Sequence, residues 1–396
     1  MVRKIAFAFI ALCALVCAPS CSKKTDTVPE KKGNYPSWID NESEQVPIQF
    51  GMGTIVSTKS DGSIEDPGLF RSSALRYGVL AVDNFGEAHP AVTGVPARNE
   101  ESTLWEDGRE GMLKTVFVDG SGERVYYHYP PYSGSGSSER GYTFYGYRTD
   151  NTNTGFTAEP TEGGGFVKSG IQMGPADIIW AKAAASGNPA GYNGAYIRSL
   201  IAASVPEGAT GDYHFYLFNN LAPHFNFEHL TSRFKFVVRA ESSYAEATMD
   251  GLVRITAIRL ENVTTKATLD ILNGTLSADT STSGGTVNVN RDETTPSYPK
   301  NDDIVWGDSV FLLPSALDDA AASDGIKMYI TINTDEFGDQ EYSTTLKYNG
   351  RTDNFEAGKS YRFIVSLKSY ESISISATVD DWTDVDASGS SPYIIG

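Results

Sequence analysis

Apolar and polar residues alternate with period two along most of the chain, which is the pattern of strands with one face on a core and one in water. Ile326, Met328, Ile330 and Ile332 alternate with Lys327, Tyr329, Thr331 and Asn333. Tyr361, Phe363, Val365 and Leu367 alternate with Arg362, Ser366 and Lys368, interrupted by Ile364. Ile373, Ile375, Ala377 and Val379 share a face against Ser374, Ser376 and Thr378, and Phe234, Phe236 and Val238 repeat the style. Between Val253 and Leu260 the phase slips by one residue, which predicts a β-bulge. Looser alternation marks 48–50, 77–82, 116–118, 125–129 and 142–147, and only 178–185 reads as briefly helical. Asp61-Gly62, Asp119-Gly120, Asn349-Gly350 and the Gly/Ser-rich 133–138 punctuate the strands as turns.

A chain of 396 residues exceeds one ordinary domain, and a break at 186–212, rich in Gly and Pro, divides it best. The expected architecture is therefore all-β: two antiparallel β-sandwich domains in tandem, over 47–205 and 206–396. The first twenty residues read differently. Arg3 and Lys4 precede an apolar run from Ile5 to Cys17. As a helix these thirteen residues span roughly 20 Å, short of the ~30 Å hydrocarbon core, so 1–20 reads as an export signal. Ala18-Pro19-Ser20-Cys21 resembles a bacterial lipobox, with cleavage between Ser20 and Cys21 and a lipid on Cys21. Pro19 departs from the commonest form of that motif, and an ordinary signal cleaved elsewhere is the alternative. Residues 21–46 are polar and Pro-interrupted and read as a flexible tether.

Charge removes several partners. With 50 acidic and 32 basic residues the formal net charge is −18; from Cys21 onward, without Arg3 and Lys4, it is −20 (30 − 50). Nucleic-acid backbones and anionic lipid surfaces need clustered cations, so neither is an expected partner. All three Cys (Cys13, Cys17, Cys21) lie in the first twenty-one residues. The remaining chain thus has no disulfide framework, thiolate metal site or Cys nucleophile.

Candidate chemistry is thin, and neither a catalytic group, a cofactor nor a metal is expected. Gly358-Lys359-Ser360 has the ending of a phosphate-binding loop, but Asp353 stands where its first Gly belongs, and Lys359 opens a strand. His214, His224 and His229 lack an acid or Cys at ligand spacing, so strand-edge or hydrogen-bonded histidines are expected. Asp302-Asp303 and Asp380-Asp381 lack the spacing of a calcium loop and read as solvated turns. A glycosidase with facing carboxylates would need an open acidic cleft, visible only in space. Trp105, Tyr126, Tyr127, Tyr129 and Tyr132 could form a sugar-stacking surface, although core packing accounts for most of them.

Several segments, in order, resemble the fimbrillin family of Bacteroidetes, the lipoprotein-derived (type V) pilins. After the Cys21 lipobox and a strand over 48–57, Tyr77-Gly-Val-Leu-Ala-Val82 resembles one family strand and Tyr142-Thr-Phe-Tyr-Gly-Tyr147 another. Asp177-Ile-Ile-Trp180-Ala181 and Phe225-Asn-Phe-Glu-His229-Leu-Thr-Ser-Arg-Phe234-Lys-Phe236 resemble two more. Gly358-Lys-Ser-Tyr361-Arg-Phe363, followed by 373–382, resembles the family's closing segment. The resemblance implies two transthyretin-like sandwiches in a subunit of surface fimbriae, exported as a lipoprotein to the outer membrane. It also implies proteolytic removal of an N-terminal strand and strand exchange with other fimbrial subunits. Lys59, Arg71 and Arg76 are the candidate processing sites, Lys59 departing from the Arg preference expected of the family. The short apolar stretch in 388–396 weakens a donor role for that tail and makes a tip or accessory subunit as plausible as a shaft subunit. The alternative is a surface lipoprotein adhesin that binds a glycan or host ligand without polymerising.

Overall fold

The structure, a computed structural model, describes residues 46, 48, 51–52, 78–83, 116–118, 124–126, 129, 141–149, 158–204, 223–291, 299–318, 321, 324–348, 350–352, 355–369 and 372–381. These residues are mostly strand. In chain order, β1 (Gly51–Met52) precedes β2 (Gly78–Asp83), β3 (Val116–Val118), β4 (Arg124–Tyr126) and β5 (Tyr142–Arg148). Then come β6 (Glu159–Pro160), β7 (Phe166–Gln172), β8 (Ile179–Ala183) and helix α1 (Gly194–Ser204). β9 (His224–Phe225), β10 (Glu228–His229) and β11 (Ser232–Ala240) lead to helix α2 (Ser243–Met249). β12 (Val253–Val263), β13 (Lys266–Asp270), β14 (Thr275–Ala278) and β15 (Gly285–Asn288) follow. The last six are β16 (Ile304–Val305), β17 (Val310–Leu312), β18 (Lys327–Thr334), β19 (Gly338–Thr345), β20 (Lys359–Ser369) and β21 (Ser372–Asp381).

Four sheets pack as two pairs. In the first pair the sheet β10-β8-β5-β2 faces β14-β13-β7-β6. Leu80, Tyr145 and Tyr147 from one side meet Phe166, Ile171, Ala267, Leu269 and Leu276 from the other. In the second pair β16-β11-β20-β21, with β17 also on β11, faces β15-β12-β18-β19. Its core joins Phe234, Phe236, Val238, Phe363 and Val365 to Ile255, Ile258, Leu260, Met328, Ile330 and Ile332. These are the alternating residues of the sequence pattern, and their burial away from water is the main force on the sheets. The phase slip in β12 appears as a register shift between Ile255 and Ala257 against β18.

Three expectations change. Pairing is not antiparallel throughout: β11 runs parallel to β20, from Arg233 opposite Ser360 to Ala240 opposite Leu367, and β1 runs parallel to β9. Period-two alternation is the same in both directions, so only the three-dimensional path decides between them. The segment 178–185 holds strand β8 and no helix, with Ile179, Ala181 and Ala183 buried on one face. The longer helix, α1, falls instead inside the Gly/Pro-rich break. Asn193 starts it by accepting from Tyr196 N at 2.8 Å, and Ile197 and Ile201, four apart, turn inward. Finally, β13, which lies in the 206–396 half and carries β14 on its other edge, pairs with β7 of the 47–205 half. The two sheet pairs are therefore interleaved in sequence.

The first pair carries a further layer. Along β5, Tyr145 and Tyr147 enter the core between the sheets, while Phe144 and Gly146 face the opposite way. There Phe144 meets Tyr129 and Tyr192, and Gly146 leaves room for Phe225 and Phe227. Val46, Ile48, β1 and the start of α1 belong to this layer.

Candidate functional site: the strand junction and the N-terminal layer

The segments 177–181, 225–236 and 358–363 come together where the chain passes from the first sheet pair into the second. Glu228 and His229 pair with Trp180 and Ile179, and Leu230 N donates to Ile178 O at 2.8 Å. Asp177, at the entry to β8, is 2% exposed. Its Oδ2 lies 2.6 Å from His229 Nδ1 and its Oδ1 accepts from Thr231 Oγ1 at 3.0 Å. A buried carboxylate is tolerated only when such donors replace its water. The same Thr231 accepts from Gly358 N through its carbonyl at 2.9 Å. Ser232 Oγ donates to Glu356 O at 2.8 Å, and the buried Arg233 donates Nε to Ser360 Oγ at 2.9 Å.

A second crossing lies between β12 and β13. The buried carboxylate of Asp318 accepts from Thr264 N at 2.9 Å, Thr264 Oγ1 at 3.1 Å and Ala321 N at 3.2 Å. Beside it Met173 N donates to Thr265 O, and Gly174 exchanges two backbone bonds with Phe311. The β13–β14 hairpin then docks on β8, where Trp180 Nε1 donates to Ile271 O at 2.7 Å. In chemical terms these polar side chains tie strand to strand. Sequence reasoning names Asp177, His229 and Arg233 inside resembling segments but not their contacts, and it passes over Asp318 and Thr264. Partners 52 and 54 residues apart leave no local signal.

In the N-terminal layer Ile48, where the expected detachable strand starts, is 5% exposed, and Val46, expected as the last residue of the tether, is 2% exposed, so the layer begins before the expected boundary. Val46 O accepts from Tyr129 N at 2.9 Å, and Gly51 and Met52 pair with His224 and Phe225. Tyr129 is buried against Tyr142 and Phe144, which removes it from any sugar-facing surface. Burial pushes its phenol well above the ordinary tyrosine range, with Tyr192 and Tyr142 adding to the effect. Tyr192 is pushed up to about 12, first by desolvation and then by Tyr196.

Ser20, Cys21, Lys59, Arg71 and Arg76 lie outside the described residues, as do Trp105, Tyr127, Tyr132, His214 and Phe50. Lys359 opens strand β20, as its context in the sequence suggests. His229 is hydrogen-bonded at a strand edge. Asp303 bonds Arg239 and Arg362, while Asp380 and Asp381 pair with Ser360 and Lys359 at the end of β21. Among the described residues no three His, Cys, Asp or Glu side chains cluster to hold a metal ion. No helix among them is long and apolar enough to cross a membrane.

The buried polar groups of this β-rich body join strands to one another. Residues 217–382, from just before β9 to just past β21, match the fimbrillin-like family. No curated protein matches the chain. Among solved structures, a candidate cell adhesion protein of Bacteroides uniformis is similar at 16% identity and a TM-score of 0.46, over 86% of this chain and 99% of that one. One from Bacteroides ovatus has 13% identity and a TM-score of 0.42, over 86% and 98%. The tip fimbrial protein Mfa3 of Porphyromonas gingivalis has 10% identity and a TM-score of 0.30, over 67% and 92%.

Proposed function

We propose that this chain is a subunit of cell-surface fimbriae, exported with a lipid on Cys21 to the outer membrane and assembled by strand exchange. The fimbrillin-like match over 217–382 carries this reading, and it speaks for a structural or adhesion protein and not for an enzyme. On the same reading the sheet pairs correspond to the transthyretin-like sandwiches of such subunits, although β9, β10 and the crossing β13–β14 hairpin, all beyond the expected division at 205/206, belong with the first. Cleavage after Lys59, Arg71 or Arg76 would free the segment that begins at Val46. That segment is a plausible one to lose. Its described residues lie on the first sheet pair as an outer layer, where Gly51 and Met52 pair with His224 and Phe225. Its removal would uncover the buried surface under Val46 and Ile48 and the backbone groups of Tyr129 and β9, which another strand could satisfy.

Limited trypsin digestion, mass spectrometry and gel filtration test the reading together. The expected result is cleavage between residues 59 and 76, loss of the N-terminal segment and growth of SDS-resistant oligomers. Cleaved protein that stays monomeric with its segment retained would favour a non-polymerising surface adhesin. In a separate fractionation, Cys21→Ala is expected to leave the membrane fraction.

A further inference from the structure

We infer that Gly194 forms a notch that selects a β-branched residue at the position of Val46, and so sets the register of the strand held in the N-terminal layer. This rests on the strand-release reading above and names what the vacated site would accept. Gly194 is the first residue of α1. A Cβ added there would lie 3.0 Å from Val46 Cγ2, tighter than ordinary contact, and 3.4 Å from Val46 Cβ. Gly194 leaves the space into which Val46 packs, and any side chain there would crowd it. Valine suits that space because its branch sits at Cβ and its χ1 is stiff, which holds one methyl against the helix start.

The same segment is fixed at two more places. Its carbonyl at Val46 accepts from Tyr129 N, and Ile48 is buried two residues on. Pro47 between them has no N–H to leave unpaired. A one-residue slip would put Pro47 at the notch and turn Ile48 away from its buried position. The site therefore asks for a strand with a β-branched residue opposite Gly194, a free carbonyl at that residue and an aliphatic side chain two positions later. A neighbouring subunit that supplied its strand to this layer would have to present that pattern.

Two measurements decide the matter. In the intact chain, denaturant midpoints are compared for Gly194→Ala, Val46→Ala and the double variant. Gly194→Ala is expected to lower the midpoint against its helix propensity, and the double variant to lose less than the sum of the two. Additive losses would overturn the inference whatever the assembly pathway. Next, a chain with a specific protease site placed between 59 and 76 is cut and titrated with labelled synthetic peptides of residues 44–53. The cut protein should bind the natural peptide about tenfold more tightly than its Val46→Ala form. Cut Gly194→Ala protein should reverse that preference. An unchanged ranking would overturn the inference. Uptake of neither peptide by cut wild-type protein would sink the strand-release reading and the selectivity with it, even if the midpoints in the intact chain were coupled.

Discussion

Phe236 shows how one residue can be read in advance. Its place in the alternation puts it on the apolar face of β11, and it is buried in the second core with its ring 5.8 Å from Phe363. Phe236→Ala should cost about 3–5 kcal/mol in a urea denaturation, through lost transfer energy and the cavity left behind. The tyrosines of the N-terminal layer make a second test. Tyr192 titrates near 10 when unfolded and is pushed up to about 12 when folded. The folded state thus holds the proton more tightly, and its advantage is present below the unfolded value and lost as pH rises through the folded one. Tyr129, raised by burial, acts with the same sign. The urea midpoint should therefore fall across that alkaline window, and Tyr192→Phe should make the fall smaller. A fall that is unaffected by the substitution would assign it to other groups.

Among the elements, the β13–β14 hairpin has the most to explain. It leaves the second sheet pair after Thr264, which Asp318 holds, and completes the sheet containing β7 in the first. Its turn requires glycine at Gly274, where φ is +67° and a Cβ would lie 2.5 Å from the Trp180 ring. Gly274→Ala should destabilise by more than about 1–2 kcal/mol, the left-handed strain alone, with the clash added. The check is a denaturation curve beside that of Gly251→Ala. Gly251 has φ +71° but open space around it, so the difference between the two isolates the hairpin's docking. Sequence reasoning passes over the hairpin, although Ala267 and Leu269 alternate with Thr268 and Asp270 and Gly274 marks its turn. Its sheet was not legible, because nothing in residues 266–278 distinguishes pairing with β7 from pairing with a nearer strand.

For the molecule as a whole, interleaving has a thermodynamic consequence. The first sheet pair is incomplete without residues 266–278, and Leu313 of the later chain also enters its core. The two pairs should therefore unfold together, giving one calorimetric transition with van't Hoff and calorimetric enthalpies in agreement. Two separated transitions would mean that the crossings at Asp177 and Asp318 are energetically slack. The chain's composition and period-two pattern determined that it is β-rich, which strand faces are apolar and where β12 bulges. Those properties are local, since each rests on residues a few positions apart. The tertiary structure decided the parallel register of β11 on β20, the strand at 178–185, the crossing hairpin and the meeting of Asp177 with His229 and Thr231. Each of these depends on which distant segments bury a common surface, and alternation states that a face must be covered without stating by what.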